Sequence, residues 1–284
     1  MADGILVTGA SGNVGSAVVH ALQQRGARVR AAGTSPERLT ASGSGPAVKL
    51  DFFDPATFAP AVSGCSALFL MRPPAIAAVR RTLLPFLAVA RAEGVRHVVF
   101  LSVQGAGSNP LLPHHTVEQQ LCAGPGTWTI LRPGFFAQNL QDSYARDLIE
   151  DSRLYVPAGA GRVAFIDVRD IAEVAAQALV DPGPHQGQAY TLTGPASLSF
   201  AEVAELLSER LGRRIRYEPA SVLGYLAHLR RRGLAAAQIA VMLALHLGLR
   251  FGQAESVDPT LERLLGRPGR PLREYVRDQA ASWR

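Results

Sequence analysis

Two groups of residues in this 284-residue chain could do chemistry by their type and spacing. The first lies in NPLLPHHTVEQQL, residues 109–121, where His114 and Glu118 stand four apart and so share one face of a helix. A carboxylate beside an imidazole raises its pKa toward neutrality, so a His114 imidazolium could donate a proton or stabilise a developing oxyanion. The alternative is a structural histidine at a helix start, holding Glu118 or a backbone carbonyl. Ser102 ends an apolar run, where it either meets a substrate oxygen at a sheet's carboxyl edge or satisfies a turn. His and Glu at this spacing also offer two metal ligands. No third stands at motif spacing, and no metal is expected.

The second group is GILVTGASGNVGSAVVHAL, with Gly9, Gly12 and Gly15 between a buried run and an amphipathic one. Glycine serves there because the backbone turns sharply and approaches a pyrophosphate, whose charge the helix N-terminus then holds. Ser11, Asn13 and Val14 fill the same turn. An NAD site usually offers an acid at the end of the second strand, and RVRAAGTSPERL holds none before Glu37. With Arg30 and Arg38 nearby, this favours NADP(H) over NAD(H), unless both arginines are ordinary surface charges. Asp51, in KLDFFDP, either reaches an adenine or caps its own loop, as Asp54 before Pro55 does.

The elements that must hold these groups alternate. Residues 5–8, 29–32, 48–50, 67–71, 97–102 and 127–131 predict strands, several of them apolar on both faces. Helical windows lie near 14–25, 55–62, 75–93 and 114–123. Strict alternation argues an α/β fold with a Rossmann-type doubly wound parallel sheet. Farther on, Asp170 is placed to cap a helix through Leu179, and Ser199 with Glu202 forms a capping box opening a helix to Leu211. Residues 221–249 read as amphipathic helix and 272–281 as a final short one. We expect one unit over 1–284, with 1–135 mainly the dinucleotide core and 136–284 mainly a smaller C-terminal substrate lobe interleaved with it.

Composition narrows the function classes. Cys65 and Cys122 have no metal-ligand spacing and read as buried small hydrophobes in a reducing compartment. No secretory signal is read at the start, and residues 239–247 are too short to span a bilayer, so a cytoplasmic protein is expected. The net charge of +6 comes from scattered arginines, with Arg230, Arg231 and Arg232 as the only run, which a solvated helix end explains. No nucleic-acid motif accompanies it. The apolar C-terminal helices leave a homo-oligomer open.

Taken together, TGASGNVG, LDFFDPATF, FLMRPP, GVRHVVFLSVQGA, HHTVEQQL, WTILRPGFFAQN, VPAGAGRVAFIDVRDIAEVAAQAL, YTLTGPASLSFAEVAELLSERLGR and REYVRD resemble the NmrA-like branch of atypical short-chain dehydrogenases/reductases. This branch is similar to bacterial quinone and triphenylmethane-dye reductases and includes fungal redox sensors. The resemblance runs almost end to end. It implies an NADP(H)-binding domain, a smaller lobe and a cleft for a second ligand. It assigns Gly9, Gly12 and Gly15 to the pyrophosphate, Asp51 and Phe52 to the adenine, and Arg72 with Pro73 to the far side of the cofactor. It sets Pro133, Gly134 and Phe135 beside the nicotinamide. Many relatives carry arginine where Thr34 stands, a departure from the family pattern at the 2′-phosphate contact; Thr34 and Arg38 are the cofactor-binding candidates here.

Ordinary short-chain reductases protonate the developing alkoxide with Tyr-x-x-x-Lys. Lys49 is the only lysine of this chain and position 45 is Gly45, so that pair is excluded. His114, His115 and Glu118 stand in its place, with Ser102 as a further catalytic candidate, and the relatives look similar in keeping His-x-x-x-Glu here. Phe135, Phe136, Tyr144 and the apolar residues of 223–249 suggest a greasy pocket for a flat or bulky hydrophobic molecule, although core packing accounts for most of them. Asn139 either orients that substrate or makes a structural hydrogen bond. Arg132 either orients a ligand or makes a structural hydrogen bond. Two classes of function follow. One is an NADPH-dependent reductase of a conjugated or aromatic substrate (quinone, enone, iminium or ketone); the other is an NADP(H)-sensing regulatory protein with little turnover.

Overall fold

A strand that is apolar on both faces must be covered on both faces, and the short runs of the first half are of that kind. The computed structural model describes residues 4–284. It begins β1 (Gly4–Thr8), α1 (Asn13–Gln24), β2 (Val29–Gly33), α2 (Pro36–Ala41), β3 (Ala47–Lys49), α3 (Phe58–Val62), β4 (Cys65–Met71), α4 (Leu83–Ala92), β5 (His97–Leu101), α5 (Pro113–Ala123) and β6 (Thr127–Pro133). Next come α6 (Asn139–Asp142), α7 (Ala145–Glu150), β7 (Arg153–Val156), β8 (Arg162–Val163), α8 (Val168–Val180) and β9 (Gln188–Leu192). The chain ends with β10 (Leu198–Ser199), α9 (Phe200–Leu211), β11 (Arg216–Pro219), α10 (Val222–Arg231), α11 (Ala236–Arg250), α12 (Thr260–Leu265) and α13 (Leu272–Gln279).

Two compact units result, one running to Pro133 and taking in Val168–Leu192, the other made of Gly134–Asp167 and Thr193–Arg284. The first is a Rossmann-type doubly wound domain. Its seven strands lie in the order β3-β2-β1-β4-β5-β6-β9 and are all parallel. Leu68, Phe69 and Leu70 of β4 and Val98, Val99 and Phe100 of β5 are fully buried, as strands with helices on both sides require. Phe86 of α4 meets the rings of Phe52 and Phe58 edge-on, each at 5.3 Å, beneath one face. The strand order reverses between β1 and β4, which opens a crevice at the carboxyl ends of the strands.

The turn from β1 into α1 lies in that crevice. Gly9 has φ +64°, and a Cβ there would fall 2.2 Å from Met71 Sδ. At Gly15 a Cβ would stand 2.1 Å from the Gly9 carbonyl oxygen. These two glycines are demanded by the protein's own packing.

The second unit pairs β7 with β11 in parallel and β8 with β10 antiparallel. The Ser199–Glu202 capping box opens α9 as expected. Trp283 is fully buried, donating its indole N–H to the Leu140 carbonyl at 3.0 Å, and Arg213 donates to the carbonyls of Leu148 and Trp283 at 2.7 and 2.9 Å. The last turn of the chain is thereby fastened to α6 and α7.

Several expectations are corrected. α8 starts two residues before Asp170, which is fully buried inside the first turn rather than standing ahead of the helix. The window 75–93 is helical as α4 only from Leu83, with a short 3-10 turn at Val79–Arg81 before it, because Thr82 has φ −127° and ψ −77°. Residues 221–249 make two helices, since Gly233 turns with φ +83° between them. Cys122 is exposed, and only Cys65 is buried. Arg232 is no solvated end, being paired with Asp147 and Glu150. Gln188–Leu192 forms a seventh strand that the sequence pattern did not reveal.

The glycine geometry makes a direct prediction. Gly15→Ala should lower the unfolding free energy by roughly 3 kcal/mol, because backbone rather than a flexible side chain blocks the new Cβ. Urea unfolding with an unchanged midpoint would contradict the packing described here.

Candidate active site

The N-terminus of α1 is the first part of the site. Its cap, Gly12, has extended backbone, provides no side-chain cap, and is followed by no acid in the first turn. Ser11, Gly12 and Asn13 are exposed. A Cβ on Gly12 would meet nothing nearer than the Gly9 oxygen at 3.5 Å, so neither space nor backbone conformation inside the protein calls for glycine there. What remains is approach from outside. An uncapped helix start open on its outer side is a place for an anion.

Beyond β2 the nucleotide-selecting groups separate. Arg30 is turned away, since its guanidinium donates to the carbonyls of Ala61 and Ser63 at 3.2 and 2.7 Å. It sits three residues before the carboxyl end of β2 and so below the crevice, which removes it from the expected phosphate contact. Thr34 and Arg38 are exposed at the start of the following turn and helix. Asp51 accepts from the Phe53 amide at 2.9 Å, and Asp54 from the Ala56 amide at 3.2 Å. Phe52 is corrected: its ring belongs to the core against Phe86. Its neighbour Phe53, in the turn closed by the Asp54 amide on the Asp51 carbonyl, is 72 % exposed and was overlooked.

After β4, Arg72 organises its own loop. One guanidinium nitrogen, Nη1, donates to the carbonyls of Pro73, Pro74 and Ile76 at 3.1, 3.1 and 2.7 Å, while Nε donates to His114 Nε2 at 3.2 Å. His114 and Glu118 do share a helix face, yet they are not partners. The Glu118 carboxylate, 1 % exposed, accepts from Arg132 Nε at 3.1 Å and Nη2 at 2.7 Å, and also takes a very short bond from the Ser102 hydroxyl. Ser102 is itself buried. Gly107 makes room for this arrangement, because a Cβ there would lie 2.5 Å from Arg132 Nη2.

The expected imidazolium is therefore corrected. Burial, and next the Arg72 cation, push His114 down to about 4, outweighing the opposing influence of Glu118. With Nε2 accepting from Arg72, the neutral ring carries its proton on Nδ1, which is buried without a partner among the described residues. His114 can offer a hydrogen bond near neutral pH but has no extra proton to give. Ser102 bonds Glu118, which also accepts from Arg132, so the sequence located the cluster while misassigning its internal bonds. Of the two readings of Arg132 the fold supplies the structural bond, to Glu118, while Gly107 was missed.

Pro133 closes β6, and its carbonyl accepts from the Gln104 amide at 2.9 Å. In the second unit Gly134 and Phe136 are half-buried, and Phe135 is buried edge-on to Phe165 at 5.5 Å. Asn139 is half-buried at the head of α6. Tyr144 is corrected from pocket wall to core. It is 2 % exposed, its hydroxyl bonds His246 Nε2 at 2.5 Å, and burial raises its pKa well above the ordinary value. Among the described residues no three His, Cys, Asp or Glu side chains are grouped to hold a metal. No helix among them is long and apolar enough to cross a membrane.

Sheet and site together define a Rossmann-type α/β protein with an uncapped glycine turn at its topological switch point. The NmrA-like family model matches residues 1–246, and the chain belongs to that family. It is 35% identical over 291 residues to an NAD(P)H azoreductase of Xenophilus azovorans, covering 98% of this chain and 99% of that one. Among solved structures it is similar to an Escherichia coli NADPH-dependent quinone oxidoreductase complexed with NADPH, with TM-score 0.86, 25% identity and coverage of 97% and 99%. The triphenylmethane reductase of Citrobacter sp. complexed with NADP(H) shares the fold, with TM-score 0.85, 23% identity and coverage of 97% and 99%.

Removing one partner of the buried cluster should be costly. Glu118→Ala strands the Arg132 guanidinium and the Ser102 hydroxyl, and about 3 kcal/mol of stability should be lost in urea unfolding. A loss below about 1 kcal/mol would mean the pair is of the weak, solvent-screened kind. Acid should act through the histidines. His97 and His114 both have pKa values pushed down to about 4 by burial first, so unfolding lets each take up a proton below 6.5. Their contribution is complete above pH 6.5 and drains away as pH falls toward about 4. Thermal midpoints that hold constant across that window would refute it.

Proposed function

We propose that this chain, an NAD(P)H-dependent oxidoreductase, transfers hydride to a small conjugated or aromatic acceptor, a quinone, enone, iminium, ketone or azo compound, without an acidic side chain at the reacting centre. The observation that carries the reading is the setting of His114, buried and bonded through Nε2 to the Arg72 guanidinium, which together hold it neutral where Tyr-x-x-x-Lys would otherwise stand. An acceptor suited to such a site spreads the incoming electron pair over its own π system and takes its proton from water. A simple alkoxide, which needs the proton as it forms, is poorly served.

The residues present fit a dinucleotide. The uncapped start of α1 and the open outer side of Gly12 would take the pyrophosphate. Thr34 and Arg38 would meet a 2′-phosphate, and with no acid between Gly33 and Pro36 this supports NADP(H) over NAD(H). Asp51 and the backbone of Phe52 would border the adenine, and the loop fixed by Arg72, including Pro73, would border the far half. When bound, the dinucleotide supplies the hydride. The chain holds the acceptor in position, His114 Nδ1–H donates a hydrogen bond to its electron-rich atom, and the Arg72 charge favours negative charge developing there. Ser102 and Glu118 act as positioning residues. The likeness to an azoreductase along the full length of both chains supports a conjugated acceptor.

Loss of NADPH absorbance with a panel of quinones, azo dyes, cationic dyes and conjugated ketones tests the reading. Protein-dependent oxidation is expected, with a kcat/KM that shows no histidine inflection between about pH 5.5 and 8. An inflection near the ordinary imidazole value that vanishes in His114→Asn would reinstate an imidazolium. Gly12→Ala should keep the thermal midpoint while weakening NADPH binding about tenfold or more. Tight NADPH binding with no acceptor consumed anywhere in the panel would overturn the reductase assignment in favour of sensing.

A further inference from the structure

The second unit contains a cleft of about 470 Å³ that none of the chemistry above uses. Its walls are apolar and come from three places, with Pro195 and Leu198 ahead of α9, Leu206 on α9, and Pro271 and Leu272 at the start of α13. Such a volume falls within the range of small-molecule sites.

The charge around the cleft runs against that of the chain. The protein carries +6 overall, yet the cleft is lined by Glu202, Glu205 and Glu209 of α9 and by one cation, Arg273. Glu202 is held firmly anionic, with the Ser199 amide first, then its hydroxyl and Arg162, lowering its pKa to about 2. Glu205 and Glu209 differ from it. Both are exposed, they stand one helical turn apart, and neither has an ion-pair partner among the described residues. Like charges at that spacing destabilise a helix. Here they flank an apolar cleft, where a bound cation would relieve the repulsion while its apolar part covered Leu198, Leu206 and Leu272.

We propose that this cleft binds a small organic cation, an ammonium or amidinium group carried on an apolar body, with Glu205 and Glu209 as its counter-charges. The apolar walls select against inorganic cations and hydrophilic polyamines, which would leave those surfaces wet. The carboxylates select against neutral and anionic molecules of the same shape. The site is separate in its residues from the glycine turn and the Arg132 cluster, so its failure would leave the reductase reading untouched.

Titration calorimetry with hexyltrimethylammonium, using 1-hexanol and hexyl sulfate as neutral and anionic counterparts, tests the proposal on the full chain. Saturable binding of the ammonium alone is expected, weakening as salt is raised. The double variant Glu205→Gln, Glu209→Gln should bind it about tenfold less tightly while keeping its thermal midpoint and its rate of NADPH oxidation, because it removes a repulsion and touches no core residue. Three outcomes would each overturn the proposal: no saturable binding, equal binding of hexanol, or undiminished affinity in the double variant.

Discussion

A carboxylate with almost no exposure persists only if positive charge and hydrogen bonds replace the water it gave up. Glu118 meets that condition through Arg132, which grips both of its oxygens, and through the Ser102 hydroxyl. The three residues come from α5, from β6 and from the point where β5 ends, so one cluster locks together the carboxyl edge on which the site depends. Its consequences spread outward. Gly107 must be small so that the guanidinium can lie flat against the loop. His114, one turn before Glu118, loses its carboxylate neighbour to Arg132 and instead accepts a bond from Arg72, which in turn shapes the loop after β4. A position that sequence spacing marks for proton donation thus becomes a neutral donor beside a fixed positive charge.

The glycine turn shows a comparable division of labour. Gly9 and Gly15 are set by contacts within the chain, whereas Gly12 has room for a larger residue and a backbone that any residue adopts. Identical letters at equal intervals therefore answer to different constraints, two of them to folding and one to whatever approaches from solvent.

Much of the fold was legible because its signals are local. Alternating apolar runs gave six of the seven sheet strands, the glycine spacing located the crevice, and Ser199 with Glu202 marked the start of α9. A single lysine was enough to remove a proton-transfer pair from consideration. What escaped depends on distance along the chain or on facing. Arg132 is fourteen residues from Glu118 and no pattern joins them. The two phenylalanines after Asp51 are chemically alike, and only their placement sends Phe52 inward and Phe53 outward. Tyr144 looked like a pocket wall because an aromatic residue carries no mark of whether its hydroxyl will find a buried partner such as His246. Gln188–Leu192, QAYTL, is exposed at its first two residues and lacks the continuous apolar run that marks β1 or β5, so it does not stand out as a strand.

The lone lysine has a second consequence, for how copies of the molecule keep apart. An open parallel sheet ends in strands with unpaired amides and carbonyls, which invite another chain to extend the ladder. Here β3 forms one margin, is only three residues long, and closes on the exposed Lys49. A strand this short offers a template too small to hold a visitor, and its terminal ammonium disfavours an apolar one. The chain's only amine-bearing side chain thus stands at one of the two open margins of the sheet.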